Sequence, residues 1–124
     1  MNRHILLADD DKDLREILAF HFEHSGWKVT TVSTGKQALE AIEKGGLDLV
    51  ISDLRMPEMT GVELLRKVKK LKETGRLLPP LVILTGMLDG GEDYLLKLGA
   101  AEILTKPIDF DFLLGIADRL STPK

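Results

Sequence analysis

The sequence predicts an α/β protein, a doubly wound five-stranded parallel sheet with helices on both faces, and three observations carry that reading. Five short apolar runs recur along the 124 residues. Each is followed by a segment whose apolar residues repeat at helical spacing. The loops between them are short, and right-handed crossovers of that length deposit helices above and below one sheet. A chain of this length supports one domain, predicted over residues 1–120, with 121–124 as a tail or the start of a linker.

Taken in order, Ile5-Leu6-Leu7-Ala8 is a continuous apolar run ending in acids, as expected of a parallel strand buried on both faces. Residues 11–24 then carry Leu14, Ile17, Leu18 and Phe22 at helical spacing, stopped by Ser25-Gly26. Residues 29–32 form the second strand, 37–44 a short helix ending at Gly45-Gly46, and 49–51 the third strand. Beyond a loop holding Pro57 and Gly61, residues 62–72 place Leu64, Leu65, Val68 and Leu71 on one face and lysines on the other. Gly75 and Pro79-Pro80 end that helix. Residues 81–84 are strand four, 92–98 a helix closed by Gly99, 102–104 strand five, and 110–120 the last helix, with Asp109 as its N-cap.

Composition narrows the function classes. With 44% hydrophobic and 30% charged residues the balance is that of a soluble globular protein. Seventeen basic residues against twenty acidic ones, a net charge of -3, argue against direct nucleic-acid binding. The absence of cysteine excludes disulfides and thiolate metal sites and is compatible with the cytoplasm. No apolar run approaches the roughly 18 residues of a membrane span, and the first residues do not form a signal peptide.

In open α/β sheets the ligand crevice lies beyond the carboxyl ends of the strands, so the residues delivered there matter most. Strand one ends in Asp9-Asp10, strand three in Ser52-Asp53, strand four in Thr85-Gly86, and strand five in Thr105-Lys106-Pro107. Taken singly, the aspartates could cap the first helix, Asp53 and Thr85 could be turn residues, and Lys106 a solvated amine. Independent capping would not require all of them on one sheet edge. Three carboxylates a few ångströms apart repel by about 1 kcal/mol per pair in water and about 4 at an effective dielectric constant near 20. A cation belongs among them, and Mg²⁺ suits an all-oxygen ligand set that leaves room for waters and phosphate.

The segments Ile5-Leu6-Leu7-Ala8-Asp9-Asp10, Ser52-Asp53-Leu54-Arg55-Met56-Pro57-Glu58-Met59-Thr60-Gly61, Leu81-Val82-Ile83-Leu84-Thr85-Gly86 and Leu104-Thr105-Lys106-Pro107 resemble the receiver domain of response regulators in two-component signalling. The resemblance covers nearly the whole chain and implies a CheY-like, flavodoxin-like sheet in the order 2-1-3-4-5. It makes Asp53 the acceptor of a phosphoryl group from the phosphohistidine of a histidine kinase or histidine phosphotransfer protein. It gives Mg²⁺ direct ligands from Asp10, Asp53 and the backbone carbonyl of Arg55, with Asp9 acting mostly through a metal-bound water. Thr85 and Lys106 would hold phosphoryl oxygens, Pro57 and Gly61 would shape the loop beyond Asp53, and the Lys106–Pro107 bond would be cis. Output would use the face of the fourth helix, fifth strand and fifth helix, coloured by Asp93, Tyr94, Lys97, Glu102 and Asp118, toward an unassigned effector, including one following Lys124.

The chain departs from the family pattern at three places. Ile103 stands where such domains carry an aromatic switch residue, so Ile103 is read as an ordinary strand residue facing the fourth helix. Arg55 puts a cation beside the acceptor. Gly86 and Leu88-Asp89-Gly90-Gly91 suggest a loop that moves readily before the fourth helix. Two other functions fit the same edge: a pseudo-receiver that only binds protein, and a Mg²⁺-dependent phosphatase, whose usual second aspartate is replaced by Arg55.

Overall fold

The computed structural model describes residues 3–86 and 91–121. Its elements follow in chain order as β1 (His4–Ala8), α1 (Lys12–His24), β2 (Lys28–Val32), α2 (Gly35–Lys44), β3 (Leu49–Asp53), α3 (Gly61–Glu73), β4 (Leu81–Thr85), α4 (Glu92–Lys97), β5 (Glu102–Thr105) and α5 (Phe110–Ser121). All the strand pairings are parallel, and the order across the sheet is β2-β1-β3-β4-β5. The sheet is doubly wound as the element pattern predicts, and its strand order is the one the receiver-domain resemblance implies.

Alternation along each strand divides the apolar residues between two cores. Ile5, Leu7, Ile51, Val82 and Leu84 meet Leu18 and Phe22 of α1 and Leu113, Ile116 and Ala117 of α5. Leu6, Ala8, Val50 and Ile83 meet Ala38 and Ile42 of α2, Leu64, Leu65 and Val68 of α3, and Leu95 of α4. β3 and β4 are buried at every residue, which explains their unbroken apolar runs. Each fully buried Leu or Ile contributes about 1.5–3 kcal/mol, so the sheet's position is set by many independent contacts.

Helix ends sharpen the sequence reading. Asp11 is the N-cap of α1, its carboxylate accepting the Leu14 N–H at 3.2 Å, so that role falls to neither Asp9 nor Asp10. Asp109 accepts the Asp111 N–H at 3.0 Å at the start of α5. Thr60 and Glu63 form a reciprocal capping box on α3. α5 runs one residue past the predicted boundary, through Ser121, whose hydroxyl accepts a hydrogen bond from the Arg3 guanidinium at 3.1 Å. Leu88, Asp89 and Gly90 of the loop expected to move, and 122–124 of the tail, lie outside the described residues.

Candidate functional site

Parallel register decides which strand ends meet. Ala8 pairs with Ser52, and Asp53 with Leu84, so Asp9 and Thr85, each one step further on, reach the edge occupied by Asp53. Thr85 pairs with Thr105, and the Lys106 N–H donates to the Thr85 carbonyl at 2.8 Å, bringing Lys106 to the same edge. The Lys106–Pro107 peptide is cis.

Asp9, Asp10 and Asp53 each present a carboxylate oxygen, and these oxygens lie within 4.8 Å of one another. Asp9 and Asp53 are buried while Asp10 is exposed. Lys106 Nζ lies 3.0 Å from Asp9 Oδ2 and 3.5 Å from Asp53 Oδ2. Burial first, and the Asp9 carboxylate second, push the Asp53 carboxyl above its ordinary range, against the Lys106 charge and a hydrogen bond from the Arg55 backbone. Burial by itself would lower Lys106, but its hydrogen bond to Asp9 and the charges of Asp9 and Asp53 outweigh it and raise the ammonium. One lysine cannot neutralise three carboxylates. The donors are all hard oxygens with one side open to solvent through Asp10, a set that fits a divalent ion such as Mg²⁺.

A cleft of about 300 Å³ opens beside these groups, lined by Asp53, Arg55, Thr85, Gly86 and Lys106. The Arg55 side chain is exposed and Thr85 is buried. Ile103 is not brought into this cleft. It lies beside Ile83 in register and packs, half-buried, into the core that contains Leu95 of α4.

Pro57 and Gly61 shape the loop that follows Asp53. The Met59 N–H donates to the Pro57 carbonyl at 2.8 Å around Glu58, whose φ of 69° is costly for a residue with a side chain. The chain then closes back, the Gly61 N–H donating to the Leu54 carbonyl at 2.8 Å. A Cβ on Gly61 would stand 3.0 Å from the Asp53 carbonyl oxygen and from Leu54 Cα, tight enough to displace the backbone that carries Asp53.

Two residues near the site escaped the sequence reading. Arg15 Nη1 donates to the Asp9 carbonyl at 2.7 Å while the Asp11 N–H donates to Asp9 Oδ1 at 2.9 Å, so the acidic turn is held from both sides. An arginine one turn into a helix that follows paired acids was the available signal. Gly35 opens α2 so close to the loop after Asp53 that a Cβ there would approach Met59 Cβ to 2.6 Å. Glycine immediately after the Thr34 cap hinted at such an approach.

On the expected output face, several side chains are already engaged. Arg66 of α3 donates to the Tyr94 hydroxyl of α4. Glu102 pairs with Arg119 at 2.9 Å, and Asp118 with Arg3 at 2.8 Å. Asp93 and Lys97 are exposed on α4.

Comparison with known proteins places this geometry in a family. Residues 5–118 match the model of the response regulator receiver domain. A protein of Leptolyngbya boryana, described as an uncharacterized 14.6 kDa protein in the sodA1 3' region, is 37% identical over 105 residues, 85% of this chain and 79% of that one. Response regulator SaeR of Staphylococcus epidermidis is 35% identical over 84% of this chain, which spans only 44% of SaeR. The receiver domain of Francisella response regulator 1452 superposes with a TM-score of 0.87 at 30% identity, covering 97% of each chain. The receiver domain of sensor histidine kinase PA1611 from Pseudomonas aeruginosa, solved with magnesium coordinated in its active site cleft, superposes with a TM-score of 0.84 at 26% identity, covering 97% of this chain and 98% of that one. No helix among the described residues is long and apolar enough to cross a membrane. With the strand order, the acidic edge and the family model in agreement, the chain belongs to the response regulator receiver domain family.

Proposed function

We propose that Asp53 accepts a phosphoryl group from the phosphohistidine of a histidine kinase or histidine phosphotransfer protein in the cytoplasm, in a Mg²⁺-dependent reaction. The chain then serves as a signalling phosphoacceptor that assists its own phosphorylation and dephosphorylation. The observation that carries this is the convergence of three carboxylates within 4.8 Å, one of which, Asp53, lines a cleft together with Lys106 and Thr85.

In the transfer, a carboxylate oxygen of Asp53 bonds to phosphorus as the phosphorus–nitrogen bond breaks to a donor ring whose other nitrogen is protonated, so that the electron pair returns to the ring, leaving an acyl phosphate on Asp53 and a neutral imidazole on the donor. Asp10, Asp53 and the Arg55 carbonyl would hold Mg²⁺ directly, with Asp9 acting through a bound water. When bound, the ion offsets carboxylate charge and draws phosphoryl oxygens into place. Lys106 sits between Asp9 and Asp53, so it can pass from them to a phosphoryl oxygen without leaving the site. The Thr85 hydroxyl can serve a second oxygen. With Ile103 in place of an aromatic residue, α4, β5 and α5 would report the new charge through packing against Ile103 and Leu95 rather than through a rotating ring.

Incubation with Mg²⁺ and acetyl phosphate, followed by intact mass measurement, tests the reading. Addition of one phosphoryl group to the wild type and none to Asp53→Asn is the expected result. No addition to the wild type, even with partner kinases supplied, would favour a pseudo-receiver. Sustained phosphate release from a small phosphomonoester would favour the phosphatase.

A further inference from the structure

The most uneven charge in the molecule lies away from the phosphoacceptor edge. Residues 66–76 hold six of the seventeen basic residues, Arg66, Lys67, Lys69, Lys70, Lys72 and Arg76, against the single acid Glu73, in a chain whose net charge is -3. Lys67, Lys69, Lys70 and Lys72 are all exposed, and among the described residues none of the four forms an ion pair. A solvated helix face would ordinarily interleave its signs, as like charges one turn apart cost a few tenths of a kcal/mol each.

On its α2 side this basic face borders a groove of about 270 Å³ lined by Leu39, Glu43, Lys67, Lys70, Leu71 and Thr74. Leu39 and Leu71 are half-buried and supply an apolar floor, and the two lysines stand on the α3 rim. Glu43 is the one acid in the lining. Its backbone carbonyl accepts a hydrogen bond from Arg76 at 2.7 Å, which fixes a further cation at that end. The chain then leaves through Leu77, a leucine that is 100% exposed. The groove falls below the ~300–1,000 Å³ of small-molecule sites and matches one or two apolar side chains of a protein partner.

We infer that the α2–α3 groove is a docking surface for an acidic amphipathic helix of a partner protein. Its apolar residues enter between Leu39 and Leu71, and its carboxylates lie over Lys67 and Lys70. Phosphate backbones and anionic lipid would use the cations alone, whereas the apolar floor between two cationic rim residues calls for a ligand with both chemistries. The surface is separate from the α4, β5 and α5 face and stands whether or not Asp53 is phosphorylated.

The test is fluorescence anisotropy of the whole chain with a labelled, helix-forming peptide of about 16 residues, leucines along one face and glutamates flanking them. A scrambled peptide of the same composition, a short DNA duplex and anionic phosphatidylserine vesicles serve as comparisons. Saturable binding of the patterned peptide is expected, weakened about tenfold or more by Lys67→Glu with Lys70→Glu and only about two- to threefold by Lys69→Glu with Lys72→Glu. Leu71→Ser should weaken binding while circular dichroism stays that of the wild type; should it unfold the chain, Leu39→Ser replaces it. The inference is overturned by no saturable binding up to about 1 mM peptide, by equal binding of the scrambled peptide, by equal effects of the two lysine pairs, or by tighter binding to DNA or vesicles.

Discussion

The two ends of the same sheet treat charge in opposite ways. At the amino-terminal end, Arg3 pairs with Asp118 at 2.8 Å, donates to Ser121 and lies 4.2 Å over the Trp27 ring, so one cation ties β1 to α5 and to the residue preceding β2. At the carboxyl end, three carboxylates crowd within 4.8 Å, and among the described residues Lys106 is the one cation paired with two of them. The first arrangement lowers the energy of the fold as it stands. The second leaves repulsion that an added cation relieves, and that difference separates a staple from a site.

The largest expected effect is at the unbalanced end. Asp53→Asn should lose all phosphoryl incorporation from acetyl phosphate, read by intact mass, whereas Arg3→Ala should retain it. Lys106→Ala comes next: the rate of incorporation should fall about 10²-fold, as for removal of one charge-stabilising donor. An unchanged rate would exclude Lys106 from the phosphoryl site.

Stability should show the same contrast. Mg²⁺ at about 100 times its dissociation constant should stabilise the wild type by about 2.7 kcal/mol, and chelation should remove the gain. Because the folded-state pKa of Asp53 is raised, its favourable contribution is full below the ordinary carboxylate value and lost as pH rises through the raised one. Metal-free wild type should therefore lose melting temperature relative to Asp53→Asn as pH rises above the ordinary carboxylate value. Parallel curves for the two proteins would contradict this account of the site.

Two smaller effects sharpen the comparison. Gly35→Ala should cost about 1–3 kcal/mol, since its Cβ would press on Met59 in the loop after Asp53. Chemical denaturation would measure the loss, and the incorporation rate would report whether the loop shifts. Arg3→Ala should cost about 1 kcal/mol, the scale of one partly exposed ion pair with a cation–π contact, and leave Mg²⁺ binding unchanged.

Much of this was legible in the chain because the signals are local. Apolar runs such as Leu81-Val82-Ile83-Leu84 declare buried parallel strands, and Gly26, Gly75 and Gly99, with φ of 90°, 92° and 110°, mark where helices end. The short crossovers made the sheet parallel and sent Asp9, Asp53, Thr85 and Lys106 to one edge, because side chains at the ends of neighbouring parallel strands have nowhere else to converge. Distances and partners required the folded chain. Which aspartate caps α1, and that Arg15 grips the Asp9 carbonyl, depend on rotamers and on how the first turn of α1 sits over β1. The fit of Gly35 against Met59 and the bond from Arg3 to Asp118 join residues far apart in sequence. Neither partner carries a local mark of the other, and only packing the helices onto the sheet brings them within reach.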